Sequence, residues 1–298
     1  MNRKEWIIKA ENELRCEIAE TEPMYVRLLH GSAEIFGIEM ALGKEYAFLD
    51  ENFAIFSWYG CTVETIGNNE GCYLSDTTPM VSYVNTHIQL EARRDVALAN
   101  SVDGPRVLIV GPTDHGKSTT SRILAAYAAR LDRTPFLVDL DVGQSSITIP
   151  GCVSAIPLDK TSLNIEEGFS NLNPLVYFHG HSAPKDNIDY YKHLVSTLAT
   201  KIKARFERDP DTRASGIIVN TCGWIDGPGY DLLLYCAQAL QIDVVLVMSH
   251  DRLHASLLAS LGESVTIVKL AHSGGAVQRV GYTLYVICYM LCHLFIWF

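Results

Sequence analysis

The chain has 298 residues, of which 48% are hydrophobic, and a formal net charge of −10. This length suffices for two or three domains with ample hydrophobic core. The acidic net charge argues against a broad basic surface for duplex nucleic acid, although not against a narrow site that binds one strand end. Eight cysteines without a C-x-x-C pair, and an N-terminus without an apolar stretch of signal-peptide length, predict reduced thiols in a cytosolic or nuclear protein.

Residues 1–85 contain short apolar stretches separated by turn residues. The stretches include YVRLL, AIFSWYG, TVETIG and MVSYV, and the turns include Gly31-Ser32 and Gly67-Asn68-Asn69. This spacing predicts a small all-β domain, either a sandwich or a barrel. Residues 86–105 follow as a helical linker, with a helix over 86–100 that ends at the sequence SVDGP.

From Arg106 onward, apolar runs alternate with long helical patterns. The candidate helices lie near 117–131, 188–208, 229–241 and 251–261, and the candidate strands are VLIV, FLVDLDVG, LVYFHG, GIIVNTCGW, VVLVM and VTIVKL. Such alternation predicts an α/β domain over 106–279, in which helices flank a parallel sheet.

The segment VLIVGPTDHGKSTTSRIL carries the spacing G-x-x-x-x-G-K-S. Gly111 and Gly116 let the backbone wrap closely round a phosphate, and the helix that begins near Lys117 adds the positive end of its dipole. Lys117 can then reach the β and γ phosphates, and the Ser118 hydroxyl can join a Mg²⁺ shell. A chance glycine turn is the alternative, but the flanking strand and helix patterns favour a nucleotide site.

A pair of acidic residues follows about twenty residues later in FLVDLDVGQSS. Asp139 and Asp141 stand two apart at the end of an apolar strand, so we expect both side chains on one face. One carboxylate could then hold Mg²⁺ and the other could accept a proton from a hydroxyl, with Gln144 as a hydrogen-bond partner of the acceptor. Aspartates at strand ends often only cap the next turn, but the neighbouring phosphate loop favours a site.

Six motifs in order resemble the polynucleotide 5′-hydroxyl kinase family of pre-mRNA cleavage factor II, a family also linked to the tRNA splicing endonuclease. They are GPTDHGKST, LDVGQ, EEGF, NPLVYFHG, VNTCGW and SGGAVQR. The resemblance extends from about Glu13 to Arg279. It implies an α/β P-loop kinase-like domain preceded by a small all-β domain.

The resemblance also implies a reaction, in which the γ-phosphate of ATP is transferred with Mg²⁺ to the 5′-hydroxyl of RNA. The implied partners are the RNA 5′-hydroxyl end, a partner subunit of cleavage factor II and the tRNA splicing endonuclease complex. We expect a nuclear protein that needs no membrane. The implied catalytic residues are Lys117, Asp141 and Arg279, and the implied metal ligands are Ser118 and Asp139.

Binding residues follow from the same resemblance. Those implied for the nucleotide are Glu13, Asn52, Asp114, His115, Gly116, Lys117, Ser118 and Thr119. Those implied for the RNA end are Gln144, Pro184, Asn187 and Trp224. Trp224 would stack on a terminal base, with core packing as the alternative. Asn52 stands where other members carry a lysine, and we interpret His179 and His181 as solvated loop residues rather than a metal pair.

Residues 280–298 depart from the family, which continues through an arginine-rich lid into a third domain. This stretch has no Asp, Glu, Lys or Arg. We expect an aberrant tail from an intron or a truncated isoform; a tail anchor and a packed terminal element are the alternatives.

Two classes of function therefore stand beside each other. One is an active RNA 5′-kinase in mRNA 3′-end processing and tRNA splicing, which the intact Lys117, Ser118 and Asp141 favour. The other is a nucleotide-binding scaffold of the cleavage complex without turnover, which the departure after Arg279 favours. A P-loop GTPase is disfavoured because the base-specifying N-K-x-D motif is absent.

Overall fold

The computed structural model describes residues 2–18, 22–49, 51–169 and 173–275. The strands before the first long helix are β1 (Arg3–Ile8), β2 (Asn12–Cys16), β3 (Met24–Gly31), β4 (Glu34–Ile35), β5 (Ile38–Glu39), β6 (Glu45–Phe48), β7 (Phe53–Ser57), β8 (Cys61–Ile66) and β9 (Cys72–Ser75). The remaining elements are α1 (Met80–Asn100), β10 (Arg106–Val110), α2 (Lys117–Arg130), β11 (Phe136–Asp139), β12 (Cys152–Pro157), β13 (Leu163–Asn164), β14 (Gly168–Phe169), β15 (Leu175–Phe178), α3 (Ile188–Phe206), α4 (Pro210–Ser215), β16 (Ile217–Asn220), α5 (Pro228–Ala239), β17 (Val244–Met248), α6 (Asp251–Leu261) and β18 (Thr266–Leu270).

The N-terminal strands form two antiparallel sheets, ordered β1-β8-β3-β6 and β5-β4-β7-β2-β9. Along β3, Met24, Val26 and Leu28 are buried while the residues between them are not, as expected for a strand with one face on a core. Leu14 and Ile55 of the second sheet contribute to the same core. The predicted all-β domain is confirmed.

The second domain is built on a sheet with the strand order β15-β12-β11-β16-β10-β17-β18. All residues of β10 and β17 are buried, because α1 and α2 cover one face of the sheet and α3, α5 and α6 cover the other. The predicted α/β fold class is confirmed, and each of the six candidate strands in this domain overlaps a strand of the structure.

The sheet is mixed, whereas the alternation of strands and helices predicts a wholly parallel one. Strand β12, which the sequence analysis misses, runs antiparallel to both β11 and β15. The reason is the connection between β11 and β12, since residues 140–151 contain no helix. A parallel crossover needs a connection that passes over the sheet, usually as a helix, so this chain returns directly along its neighbour.

The helix that joins the two domains begins at Met80, six residues before its predicted start. The stretch MVSYV is therefore helical, although its β-branched and aromatic residues favour a strand. Pro79 precedes the first turn, and proline is well tolerated at the start of a helix. Tyr83, His87 and Leu90 are buried at helical spacing. Packing of this face on the second domain overrides the local propensity.

Polar contacts hold the β domain against α2, the helix that follows the phosphate loop. The buried Glu34 accepts hydrogen bonds from the Tyr127 hydroxyl and, at 3.0 Å, from Arg130. Arg122 donates to Glu51 at 2.9 Å. Gly37 lies so close to α2 that a Cβ there would stand 3.1 Å from the Ile123 carbonyl oxygen. The β domain is thereby positioned beside the phosphate loop.

Within the described ranges, none of the helices combines the length and the apolar character that crossing a membrane requires.

His87 provides a test of the packing between α1 and α2. Its ring is buried 5.3 Å from that of Tyr127, and burial lowers the pKa of His87 to about 4, although Glu91 opposes this effect. The unfolded chain, with a pKa near 6.5, therefore binds more protons than the folded chain between pH 6.5 and 4. The stabilising contribution is complete above pH 6.5 and is lost as the pH falls, by at most about 3 kcal/mol.

We expect His87→Met to flatten the decline of the unfolding free energy between pH 7 and pH 4, as measured by urea denaturation. His30→Gln, at an exposed histidine, is the matched control and should leave the decline unchanged. Equal slopes for His87→Met and the original chain would show that His87 is not a neutral buried group.

Candidate active site

The glycine-rich loop joins the buried strand β10 to the start of α2. Gly116, with φ of 77°, is the N-cap of α2, and Gly111 has φ of 152°. A side chain at position 111 would place Cβ 2.9 Å from the Met248 Cβ, so the loop packs closely on the next strand. The first amide groups of a helix have no partner within it and favour negative charge, so this geometry suits a phosphate.

The TCGW segment packs directly against this loop. A Cβ at Gly223 would lie 2.1 Å from the Thr113 hydroxyl, so only glycine permits this approach. Trp224 comes next and is partly buried against the core of the α/β domain. The contact places the indole beside the glycine-rich loop although the two motifs lie more than a hundred residues apart.

A cavity of about 550 Å³ opens where these segments meet. Ligand sites are commonly of this size. Its wall is formed by Asn52, Thr113, Asp114, His115, Gly116, Lys117, Ser118, Thr119, Asp141, Gly143, Gln144, Ser182, Ala183, Pro184, Lys185, Cys222, Gly223, Trp224 and Gly275. Most of the residues that the sequence analysis selected therefore face one space.

Lys117 is buried at the base of this cavity with 6% of its surface exposed. Its ammonium group donates a hydrogen bond of 2.7 Å to the Pro112 carbonyl. Burial lowers the pKa of Lys117, while the nearby Asp141 carboxylate acts in the opposite direction. The side chain thus presents a poorly hydrated ammonium group. Such a group attracts an anion more strongly than a fully hydrated ammonium group does.

The two aspartates have different surroundings, contrary to the expectation that both project from one face. Asp139 ends β11 and is fully buried, whereas Asp141 lies in the following loop and lines the cavity. The expectation is wrong because strand geometry stops at Asp139, so the alternation of side chains does not reach Asp141.

Asp139 is occupied by hydrogen bonds on both oxygens. Oδ1 accepts from the Asp141 amide at 3.0 Å and the Asn220 side chain at 3.1 Å, and Oδ2 accepts from the amide and hydroxyl of Ser146 at 2.6 and 2.8 Å. Burial nevertheless raises the pKa of Asp139 to about 6. Asp139 therefore influences the cavity indirectly, through its hydrogen bonds to the Asp141 amide and the Asn220 side chain.

Asp141 is tied to its own loop through one oxygen only. Its Oδ1 accepts from the amides of Gly143 at 2.9 Å and Gln144 at 3.1 Å, and no hydrogen bond from residues that the structure describes reaches Oδ2. This free oxygen and the Ser118 hydroxyl both belong to the cavity wall. Carboxylate and hydroxyl oxygens, with space for water, are the ligands that Mg²⁺ prefers, so these residues fit a magnesium ion.

On the far side of the cavity, Gln144 and Pro184 lie opposite the glycine-rich loop, but Asn187 does not belong to the wall. Asn187 instead caps α3, where its side chain accepts from the Tyr190 amide at 3.2 Å. His179 is 3% exposed and lies 3.2 Å from the Asn187 carbonyl through Nε2. The expectation of a solvated His179 is therefore wrong, because this histidine packs beneath the 180–187 loop; His181 is exposed.

A smaller cavity of about 110 Å³ lies between the β domain and the glycine-rich loop and shares Asn52, Gly116, Thr119 and Gly275 with the first. Its wall includes the apolar Phe36, Phe53, Ala54, Met80 and Ile123. Glu13 also lines it, accepting from Arg15 at 2.6 Å and from the Thr78 hydroxyl at 2.7 Å. Apolar walls with a fixed carboxylate suit an aromatic base that carries an amino group.

Two known protein families match this chain. The family described as "mRNA cleavage and polyadenylation factor CLP1 P-loop" matches residues 111–283, and the "N-terminal beta-sandwich domain of polyadenylation factor" matches residues 7–97. The chain belongs to the Clp1 family. The resemblance drawn from the six motifs is confirmed.

Curated Clp1 relatives are similar over most of this chain. Protein clpf-1 of Caenorhabditis briggsae is 42% identical over 283 residues, which cover 93% of this chain and 66% of the relative. The polyribonucleotide 5′-hydroxyl-kinase Clp1 of Danio rerio is 46% identical over 270 residues (90% and 61%), and that of Homo sapiens is 43% identical over 273 residues (91% and 64%). The chain thus spans slightly less than two thirds of the length of these relatives.

Solved Clp1 structures share the fold. The wild-type Clp1p–Pcf11p complex matches with a TM-score of 0.86 and 23% identity over 97% of this chain and 71% of that one. A second structure, concerning the extended interface between Pcf11p and Clp1p and the structural basis for ATP loss in a point mutant, matches with a TM-score of 0.83 and 23% identity.

Some wall residues of this Clp1-family site were not selected from the sequence. Lys185 and Ser182 lie in the loop before α3, and Cys222 lies within the TCGW motif, where burial raises the pKa of its thiol to about 11. Lys185 could have been selected from the sequence because it directly follows Pro184, which was selected. Arg279 and the tail at 280–298 lie outside the described residues.

Proposed function

We propose that this chain is an ATP-dependent polynucleotide 5′-hydroxyl kinase that phosphorylates RNA ends in mRNA 3′-end processing. One observation carries the proposal. Lys117 and Ser118 on the phosphate side share a single cavity with Asp141 and Trp224 on the acceptor side. Phosphoryl transfer depends mainly on the positioning of two reactants and on the neutralisation of charge, and this cavity has groups for both.

On the phosphate side, the amides of the glycine-rich loop would hold the phosphates of ATP at the start of α2. Lys117 would leave the Pro112 carbonyl and pair with the oxygens of the γ-phosphate. Magnesium, when bound, supplies further positive charge to the β and γ phosphates. Ser118 would hold it directly through its hydroxyl, and water would connect it to Asp141, with Asp139 behind them.

On the acceptor side, Asp141 would orient the RNA 5′-hydroxyl and accept its proton as that oxygen attacks the γ-phosphorus. The bond between that phosphorus and the β–γ bridging oxygen of ATP breaks, and ADP leaves. Its Oδ1 is fixed by two amides, so its Oδ2 has a defined direction. Gln144 would hydrogen-bond the acceptor, and Pro184 and Trp224 would contact the terminal nucleotide. Stacking on an indole accepts any base, which suits an enzyme that acts on ends rather than on one sequence.

The adenine base would lie in the smaller cavity beneath the β domain. Glu13 keeps unused lone pairs beside Arg15 and Thr78, so its carboxylate could accept from the adenine amino group. Asn52 and Thr119 line both cavities, as a nucleotide that extends from one into the other requires.

The proposed partners are a Pcf11-like subunit of the cleavage factor and the tRNA splicing endonuclease complex, in the nucleus. The Clp1p–Pcf11p structure supports the first, because its Clp1 shares this fold. For the second, the proposal is supported by the resemblance to the kinase family alone.

The test of the proposed function is transfer of radiolabelled phosphate from ATP to matched oligonucleotides that carry either a 5′-hydroxyl or a 5′-phosphate. A kinase labels only the 5′-hydroxyl RNA. Tight ATP binding without label would favour the alternative, a nucleotide-binding scaffold of the cleavage complex.

Trp224 allows the acceptor side to be tested separately from the phosphate side. Because stacking contributes roughly 1–3 kcal/mol per base, Trp224→Ala should raise the KM for RNA about five- to a hundredfold and change ATP affinity little. Trp224→Phe keeps an aromatic face and should lose less. If Trp224→Ala weakens ATP binding as much as RNA binding, the indole serves the packing of the core rather than the RNA.

A further inference from the structure

Asn220 occupies a central place beneath the candidate site, although it does not line either cavity. It ends β16, which lies between β10, the strand of the glycine-rich loop, and β11, the strand of Asp139. In register it pairs with Ile109 on one side and with Asp139 on the other. Its side chain is fully buried.

The side-chain amide of Asn220 donates to two groups of the site. Nδ2 lies 3.2 Å from the Ser118 hydroxyl oxygen and 3.1 Å from Oδ1 of Asp139. An amide nitrogen carries two protons in one plane, so a single atom can serve both acceptors at once. A carboxylate at this position could donate to neither.

The carbonyl oxygen of the Asn220 side chain lacks, among the described residues, the hydrogen bond that a buried acceptor normally has. Oδ1 of Asn220 is buried and receives no hydrogen bond within the described part of the chain. Exchanging Oδ1 and Nδ2 would not relieve this, because Oδ1 would then face the Asp139 carboxylate oxygen at 3.1 Å. Buried acceptors are rarely left unpaired, and such a group calls for an explanation. Double donation to Ser118 and Asp139 supplies one.

We infer that Asn220 is a positioning residue that fixes the Ser118 hydroxyl and the Asp139 carboxylate relative to each other, and thereby prepares the site for magnesium-bound nucleotide. With one lone pair of the Ser118 oxygen held by Nδ2, the other remains available to a ligand in the cavity, whose wall includes Ser118. Asp139 also accepts from the Asp141 amide, so the same bridge sets where the loop with Asp141 begins. The inference rests on the proposed function and deepens it.

The experiment measures the dissociation constant of ATP with MgCl₂ and with EDTA for the original chain, Asn220→Ala and Asn220→Asp. Calorimetry on the full chain suffices, without any kinase assay. The gain from magnesium is the ratio of the ATP dissociation constant in EDTA to that in MgCl₂. Asn220→Ala should change the affinity for ATP in EDTA less than about twofold and reduce the gain from magnesium about tenfold or more. Asn220→Asp has nearly the same shape but cannot donate, so it should lose at least as much of that gain.

Thr221→Val is the matched control. Thr221 is the next residue, is equally buried, and donates to the Ile109 carbonyl at 2.8 Å rather than to the site. It should retain the full gain from magnesium. Thermal unfolding of each variant separates positioning from a general loss of folding, because a variant that keeps its unfolding temperature has kept the fold.

Three results would overturn the inference. The first is an Asn220→Asp variant that keeps or increases the gain from magnesium, which would mean that an oxygen rather than a donor is needed there. An unchanged gain in Asn220→Ala would show a role in the sheet alone, and an original chain that gains nothing from magnesium would remove the premise. Magnesium-dependent ATP binding without phosphate transfer would instead count against the proposed kinase and leave the inference on Asn220 standing.

Discussion

Phosphate transfer should fall by at least about 10³-fold when Lys117 is replaced with alanine, and ATP binding should weaken as well. The reason is that Lys117 is a buried cation at the base of the cavity, whose ammonium donates a hydrogen bond of 2.7 Å to a backbone carbonyl. Removing it leaves the γ-phosphate without its principal protein cation in a poorly hydrated site. Radiolabelled transfer and calorimetric ATP affinity measure the two effects.

Lys185→Ala is the matched control, because Lys185 lines the same cavity from an exposed position. A solvated cation at the rim stabilises transferring charge less than a buried one, so this variant should retain most of the rate. Turnover in Lys117→Ala equal to that of the original chain would show that phosphate transfer does not take place at the glycine-rich loop.

The second large effect is expected from Asp141→Asn, which keeps the size of the side chain and removes its charge. ATP affinity in EDTA should change little, because the amide oxygen can still accept from the Gly143 and Gln144 amides. Transfer should fall by roughly 10²–10⁴-fold, the usual contribution of a general base. Initial rates at saturating ATP and RNA provide the measurement.

Asp139→Asn separates this role from that of the neighbouring aspartate. Asp139 accepts four hydrogen bonds from the loop and from Asn220, and an asparagine cannot accept all of them. Its replacement should therefore reduce ATP binding together with transfer and also lower thermal stability. A rate unaffected by Asp141→Asn would mean that another group takes the proton from the 5′-hydroxyl.

Local features of the sequence were sufficient to predict the glycine-rich loop, the start of α2 and most strands of the α/β domain. A phosphate loop needs glycines and a lysine at set intervals along the chain, and a buried strand reads as a continuous apolar run, so both signals lie within a few residues. MVSYV shows the limit of such signals. Its β-branched residues favour a strand, and only the packing of Tyr83 and His87 on the second domain makes it helical.

The tertiary structure decided which polar groups face the cavity and which support it. Asp139 and Asp141 look equivalent in the sequence, but one is enclosed between β16 and the Ser146 loop while the other remains in the wall. His179 is buried beneath a loop, and Asn187 caps a helix outside the cavity. These outcomes depend on segments distant in the chain, such as Asn220 beside Ser118. Burial and hydrogen bonding are therefore set by neighbours that spacing alone does not reveal.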